Sequence, residues 1–204
     1  MTFFRNLDTN NQNPIKNGTM YEITHQLPHF VSTRSSQPLY FNRDKHTFLN
    51  RIASKLMVNG FGLFLAYPGA SQTFKKAYEP VIYSELQRKI KMLNMNNFII
   101  KVSPEISLHA QYYTVRNGLK SQKLLIYFSG NGELMEVSSR PYELIETGND
   151  VLLFNRPGFG VSSGKPWPEN EVNSVLAVME FAQKYLKYFF KPEFQIVLVR
   201  VPCG

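Results

Sequence analysis

The spacing of apolar residues changes character near residue 95 of this chain. Upstream, apolar positions recur at helical intervals. From Asp44, the set Phe48, Leu49, Ile52 and Leu56 predicts a helix that Gly60 and Gly62 end. Tyr67-Pro68-Gly69-Ala70-Ser71 reads as a turn. Thr73 to Leu93 is again helical in pattern, with Val81, Ile82, Leu86, Ile90 and Leu93 apolar and Pro80 expected to kink or split it. Downstream, strand patterns begin. Phe98 to Val102 is one strand. Ile106 to Val115 alternates, with Ser107, His109 and Gln111 on the polar side, expected to face solvent. The runs KLLIYF (123–128), VLLF (151–154) and FQIVLV (194–199) are apolar at almost every position, as strands buried on both faces require. Helices are predicted over Glu133 to Glu146, interrupted at Pro141, and over Glu169 to Phe190.

A hairpin followed by strand–helix–strand–helix–strand implies a mostly parallel sheet covered by helices. The chain therefore divides into a loosely ordered leader (1–43), a helical basic extension (44–95) and an α/β domain (96–204). The leader is assigned on its Asn, Thr, Ser, Pro and Gln content and its lack of periodicity.

The net charge of +8 is unevenly distributed. Residues 1–120 carry +9 and residues 121–204 carry −1. Lys75, Lys76, Arg88, Lys89 and Lys91 concentrate on the second predicted helix. They are candidates for an anionic membrane surface, with Tyr78, Ile82, Tyr83, Leu86 and Ile90 inserting, or simply a solvated face. No nucleic-acid-binding motif accompanies the charge, so no nucleic acid is expected. The single cysteine, Cys203, excludes an internal disulfide and a cysteine-rich zinc site and fits a reducing compartment. No secretory signal or transmembrane run is recognisable, so an intracellular location, cytoplasmic or peripheral at a membrane, is expected.

Ligands of parallel sheets bind where strands end at their carboxyl edge. Two loops leave such ends. Ser129-Gly130-Asn131-Gly132-Glu133 follows KLLIYF. Its glycines permit tight turning, and its N–H groups suit a developing oxyanion. The bland alternative is a plain strand-to-helix turn. Asn155-Arg156-Pro157-Gly158-Phe159-Gly160-Val161-Ser162-Ser163-Gly164 follows VLLF. It matches neither the dinucleotide fingerprint, since Ser163 replaces the third glycine, nor the phosphate-binding loop, since Pro166 replaces the Ser/Thr. No cofactor and no metal are expected.

Taken together these segments resemble a known family. SGNGELME, NRPGFGVSSG and Pro166-Trp167-Pro168-Glu169-Asn170-Glu171-Val172-Asn173 are similar to the E-G-N-A-G-F-Y-E, N-H-P-G-F-x-G-S-T-G and P-x-P-x-N-E-x-N segments of the abhydrolase-domain-containing 16 family, the phosphatidylserine lipases. Leu65 to Ala70 and Phe74 to Val81 extend the similarity upstream, and residues 1–50 lie outside it. The resemblance implies the N-terminal part of an α/β-hydrolase fold and a serine hydrolase acting on acyl esters of glycerophospholipids. It implies an oxyanion-hole loop at Gly130, Asn131 and Gly132, and an active-site rim at Asn155, Arg156, Pro157 and Gly158. The superfamily nucleophile sits at G-x-S-x-G after the fifth strand. Here FQIVLV leads into Arg200-Val201-Pro202-Cys203-Gly204, so Pro202 stands at or beside the serine position. The four histidines, His25, His29, His46 and His109, all precede it. The expectation is a family member truncated at the nucleophile elbow and catalytically incomplete. The alternative is a non-enzymatic membrane- or partner-binding module.

Overall fold

The computed structural model describes residues 27–34, 61–93, 95–114, 121, 123–186 and 196–200. The predicted helix from Asp44 to Leu56 and the residues Val201 to Gly204 lie outside them. The elements run β1 (His29–Val31), α1 (Phe61–Ala66), a 3-10 turn (Pro68–Ala70), α2 (Gln72–Leu93), β2 (Met95–Lys101), β3 (Ser107–Tyr113), β4 (Leu124–Phe128), α3 (Arg140–Ile145), β5 (Asp150–Phe154), α4 (Pro168–Lys184) and β6 (Ile196–Arg200). Six strands form one sheet in the order β1-β2-β3-β5-β4-β6. Only β3 runs against its neighbours; β1 and β2 pair in parallel, as do β4 and β5, and β4 and β6. The carboxyl ends of β2, β4, β5 and β6 therefore share one edge.

Helices cover both faces, which explains why KLLIYF and VLLF carry no polar alternation. Leu124 and Ile126 pack on one side with Phe98, Leu152 and the α4 residues Ala177, Val178 and Phe181. Phe181 stacks on Phe98 at 4.5 Å between centroids, and the edge of Phe30 meets both rings. Leu125, Tyr127, Val151 and Leu153 pack on the other side beneath Ile82, Leu86 and Leu93 of α2.

Four expectations change. Residues His29–Val31, within the predicted leader, form β1 and pair with Ile99 to Lys101. Pro80 does not split α2, which runs unbroken through it over 22 residues. It removes one ladder donor on an exposed part of the helix. Phe61–Ala66, where glycines were expected to end a helix, is itself helical. The 133–146 helix starts only at Arg140, with Pro141 in its first turn, where a missing N–H is harmless; residues 131–132 and 135–137 form turns instead. α4 begins just before its predicted start, with Pro168 at its first turn and Glu169 and Glu171 favourably placed at the positive end of its dipole.

Candidate functional site

Gly130-Asn131-Gly132 leaves the end of β4, and Phe128, the last residue of β4, pairs with Arg200, the last of β6. The loop thus sits beside the end of the strand that leads toward Pro202, not across the sheet from it. Glu133 fixes its shape. Its Oε2 accepts from the Gly130 N–H at 3.1 Å and from the Tyr127 hydroxyl at 2.7 Å, and its Oε1 accepts from Ser138 at 2.5 Å. The Gly130 N–H of the expected oxyanion loop is thus engaged by Glu133 in this structure. The Asn131 and Gly132 N–H groups have no partner among the described residues. Neither Gly130 nor Gly132 has a positive φ. The need for glycine falls on the second loop, at Gly158 (φ 81°), Gly160 (φ 48°) and Gly164 (φ 92°).

That second loop, 155–164, folds back over the edge toward the β2–β3 turn. Ser163 N donates to Ser107 O at 2.8 Å, and Ser107 N to Ser163 Oγ at 2.9 Å. Arg156 joins the two loops. Its Nε donates to Glu171 Oε1 of α4 at 2.8 Å, its Nη1 donates to the Asn131 side chain, and its guanidinium lies 5.1 Å from the Tyr67 ring centroid. Burial raises the Glu171 carboxyl above its usual range, with Arg156 opposing. The 3-10 turn closes the group: Gly69 N donates to Asn131 O at 3.2 Å, and a Cβ there would lie 2.5 Å from the Phe159 ring. Of the sequence-predicted rim residues, Asn155 and Arg156 are joined by hydrogen bonds to the segments around the first loop. Pro157 and Gly158 form the turn between them and Phe159.

Beneath both loops lies a buried polar network that the sequence reading missed. His109, expected to face solvent, is fully buried. Its Nδ1 is 2.8 Å from Glu136 Oε1, and its Nε2 is 3.2 Å from Asn97 Oδ1. The reason is that β3 is covered on both faces, and its polar side looks onto α2 and the 131–137 turns. Glu136 Oε1 also accepts from Asn155 Nδ2 at 2.5 Å and from Val161 N at 3.3 Å. Burial alone would raise the Glu136 carboxyl, but His109 and Asn155 outweigh it and hold it below the usual carboxylate range. Lys89 is also buried, donating to Met135 O at 2.9 Å. Burial pulls its ammonium down to about 8 against the opposing pull of Glu136. Lys89 is thus no part of an outward basic face, and Ile82 and Leu86, fully buried, cannot insert into a membrane. Lys76, Arg88 and Lys91 remain exposed, and Lys75 is half-buried.

Gly160 to Gly164 spells Gly-x-Ser-x-Gly, the pattern in which a hydrolase serine nucleophile sits. The structure closes it. Ser162 is buried, accepts from His109 N at 2.9 Å and donates to Asn155 O at 3.3 Å. The turn precedes no strand-to-helix elbow, and the His109 ring is already held by Glu136 and Asn97. This serine, histidine and glutamate are neighbours without forming a nucleophile–base relay. Among the described residues no cluster of three or more His, Cys, Asp or Glu could hold a metal ion, and no helix is long and apolar enough to cross a membrane.

No protein-family model matches the chain. Over 172 residues it is 28% identical to an uncharacterized protein of Caenorhabditis elegans, covering 82% of this chain and 35% of that protein. Over 147 residues it is 32% identical to phosphatidylserine lipase ABHD16A of Rattus norvegicus, covering 67% of this chain and 26% of the lipase. That similarity falls on a sheet whose order places the two loops side by side at the carboxyl edge. The chain is related to the α/β-hydrolases. Solved structures similar to it include an alpha-beta hydrolase of Vibrio vulnificus (14% identity, TM-score 0.46, 76% of this chain and 49% of that one). The Pyrococcus furiosus esterase Pf2001 is another (18% identity, TM-score 0.43, 54% and 43%). The chain spans about a quarter to a third of the length of the two relatives compared in sequence. The region of similarity thus folds as a mostly parallel sheet, β2 to β6, with flanking helices.

Proposed function

We infer that the carboxyl edge of this chain is the oxyanion side of a serine-hydrolase site for acyl esters of glycerophospholipids, and that neither Pro202 nor Ser162 supplies its nucleophile. The observation that carries the reading is the pair of N–H groups at Asn131 and Gly132, which have no partner among the described residues and lie beside the end of β6. Preorganised backbone donors of this kind stabilise the tetrahedral intermediate of acyl transfer, and each is worth about 3–4 kcal/mol of barrier. The likeness to phosphatidylserine lipases supports this ester class. Both are excluded on their chemistry: Pro202 at or beside the expected nucleophile cannot attack a carbonyl, and Ser162 has its hydroxyl occupied.

Fluorophosphonate labelling of the 204-residue chain tests this. No covalent adduct on any serine, Ser162 included, is expected; a stoichiometric adduct would overturn the reading. A second reading, a membrane- or partner-binding module, draws on α2. Tyr78, Val81 and Met92 are 37%, 45% and 49% exposed there, near the exposed cations Lys76, Arg88 and Lys91. Arg88 is already paired with Glu85, which weakens that cation set.

A further inference from the structure

We propose that Glu136 is the positioning residue of the carboxyl edge, and that the inward lysines of α2 are its counter-charges, a role that rests on the hydrolase reading above. One carboxylate restrains the rim loop directly and the turns after the oxyanion loop through Asn155. Through Oε1 it holds Asn155 and the Val161 N–H of the rim loop, and His109 of β3. Asn155 passes the restraint on, because its Oδ1 accepts the Met135 N–H at 2.9 Å, in the turns that follow the oxyanion loop. Lys89 holds the Met135 carbonyl from the other side. The oxyanion loop is thereby tied at Met135 to the rim and to α2. At its other end it is tied by the Gly69 N–H.

The fit around this carboxylate is tight. A Cβ on Gly160 would stand 2.5 Å from Asn155 Nδ2 and 2.6 Å from Glu136 Oε2. Oε2 is buried with no hydrogen-bond partner among the described residues. A buried carboxylate is tolerated only where opposite charge and donors surround it. The titratable groups around it are His109 and Tyr113 of β3, and Lys75 and Lys89 of α2. Positions 75, 82, 86, 89 and 93 share one side of a helix, so two cations of the basic helix lie along its buried face among Ile82, Leu86 and Leu93. Two of the five cations of α2, Lys75 and Lys89, thus serve the site from beneath, while Lys76, Arg88 and Lys91 face outward.

Amide hydrogen exchange read by NMR tests the proposal without needing hydrolysis, so a failure of the hydrolase reading leaves its result intact. In Glu136→Gln, exchange at Met135 and Val161 is expected to rise at least tenfold while Leu152 and Leu153 in β5 do not change. In Asn155→Ala, which keeps the carboxylate, Met135 is expected to rise and Val161 to rise less. On acidification below the usual carboxylate range, Val161 in the wild type should lose protection relative to Glu136→Gln, a pH profile that packing alone would not give. Exchange rising equally across β5 and the loops in both variants, or at neither Met135 nor Val161, would overturn the proposal. If Glu136→Gln does not fold, Asn155→Ala decides on the same amides.

Discussion

Replacing Lys89 by methionine tests the electrostatics beneath the site. Methionine keeps the unbranched length of the side chain and removes the ammonium that donates to Met135 O at 2.9 Å. Two effects oppose each other at neutral pH. The lost charge-assisted hydrogen bond costs about 1.5–3 kcal/mol. The removed burden of burying a cation returns a similar amount. Burial lowers the Lys89 ammonium from 10.5 to about 8, a difference worth about 3 kcal/mol between charged and neutral forms. At pH 7 the net change is therefore small. The pH dependence is the sharper quantity. Between pH 8 and 10.5 the unfolded chain holds a proton on Lys89 that the folded chain has released. Unfolding then takes up protons, and stability rises with pH across that window. Tyr113 and Tyr127, both raised by burial, act oppositely only above about pH 10, the ordinary tyrosine value. Urea unfolding of wild type and Lys89→Met at steps from pH 7.5 to 10 provides the assay. The wild type should gain stability relative to the variant by about 2–3 kcal/mol over that range. A difference that stays constant, or shrinks, would refute the burial argument.

Three further outcomes follow from the same geometry. Gly160→Ala should destabilise by about 2–4 kcal/mol in urea melts, because its φ of 48° and the 2.5–2.8 Å approaches of Asn155 and Glu136 leave no room for Cβ. Phe181→Ala should cost about 3–5 kcal/mol, since it removes the ring stacked between α4 and β2. Arg156→Ala should cost about 1–3 kcal/mol and Arg156→Lys nearly as much, because an ammonium cannot donate to Glu171 and Asn131 together in the same fork.

The buried strands and the carboxyl-edge loops were legible in the sequence because their signals are local. Runs such as KLLIYF and VLLF, each followed by a glycine-bearing loop, report double-sided burial and a turn without reference to anything distant. What was not legible is long-range. His109 lies on a strand whose polar alternation normally marks a solvent face, and only the arrival of Glu136 from 27 residues away makes it an interior residue. Lys89 has the same history: on helical spacing it belongs to a basic set, and its carbonyl partner lies 46 residues downstream. β1, three residues long, is stabilised by pairing with β2 and by Phe30 against Phe98 and Phe181, none of which a short window can reveal. Gly160 offered the one local hint, since a glycine at positive φ marks a close approach, but not what approaches it.

On the proposed function, Asn131 and Gly132 present their N–H groups to an ester at the carboxyl edge. Nitrogen-15 NMR of the 204-residue chain, titrated with dihexanoyl phosphatidylserine below its micelle concentration, addresses this directly. Saturable shifts are expected at the Asn131 and Gly132 amides and at the Arg156 side chain. Shifts confined to the α2 face around Tyr78, Val81 and Lys91, with the two loop amides unmoved, would contradict it and favour the binding-module reading.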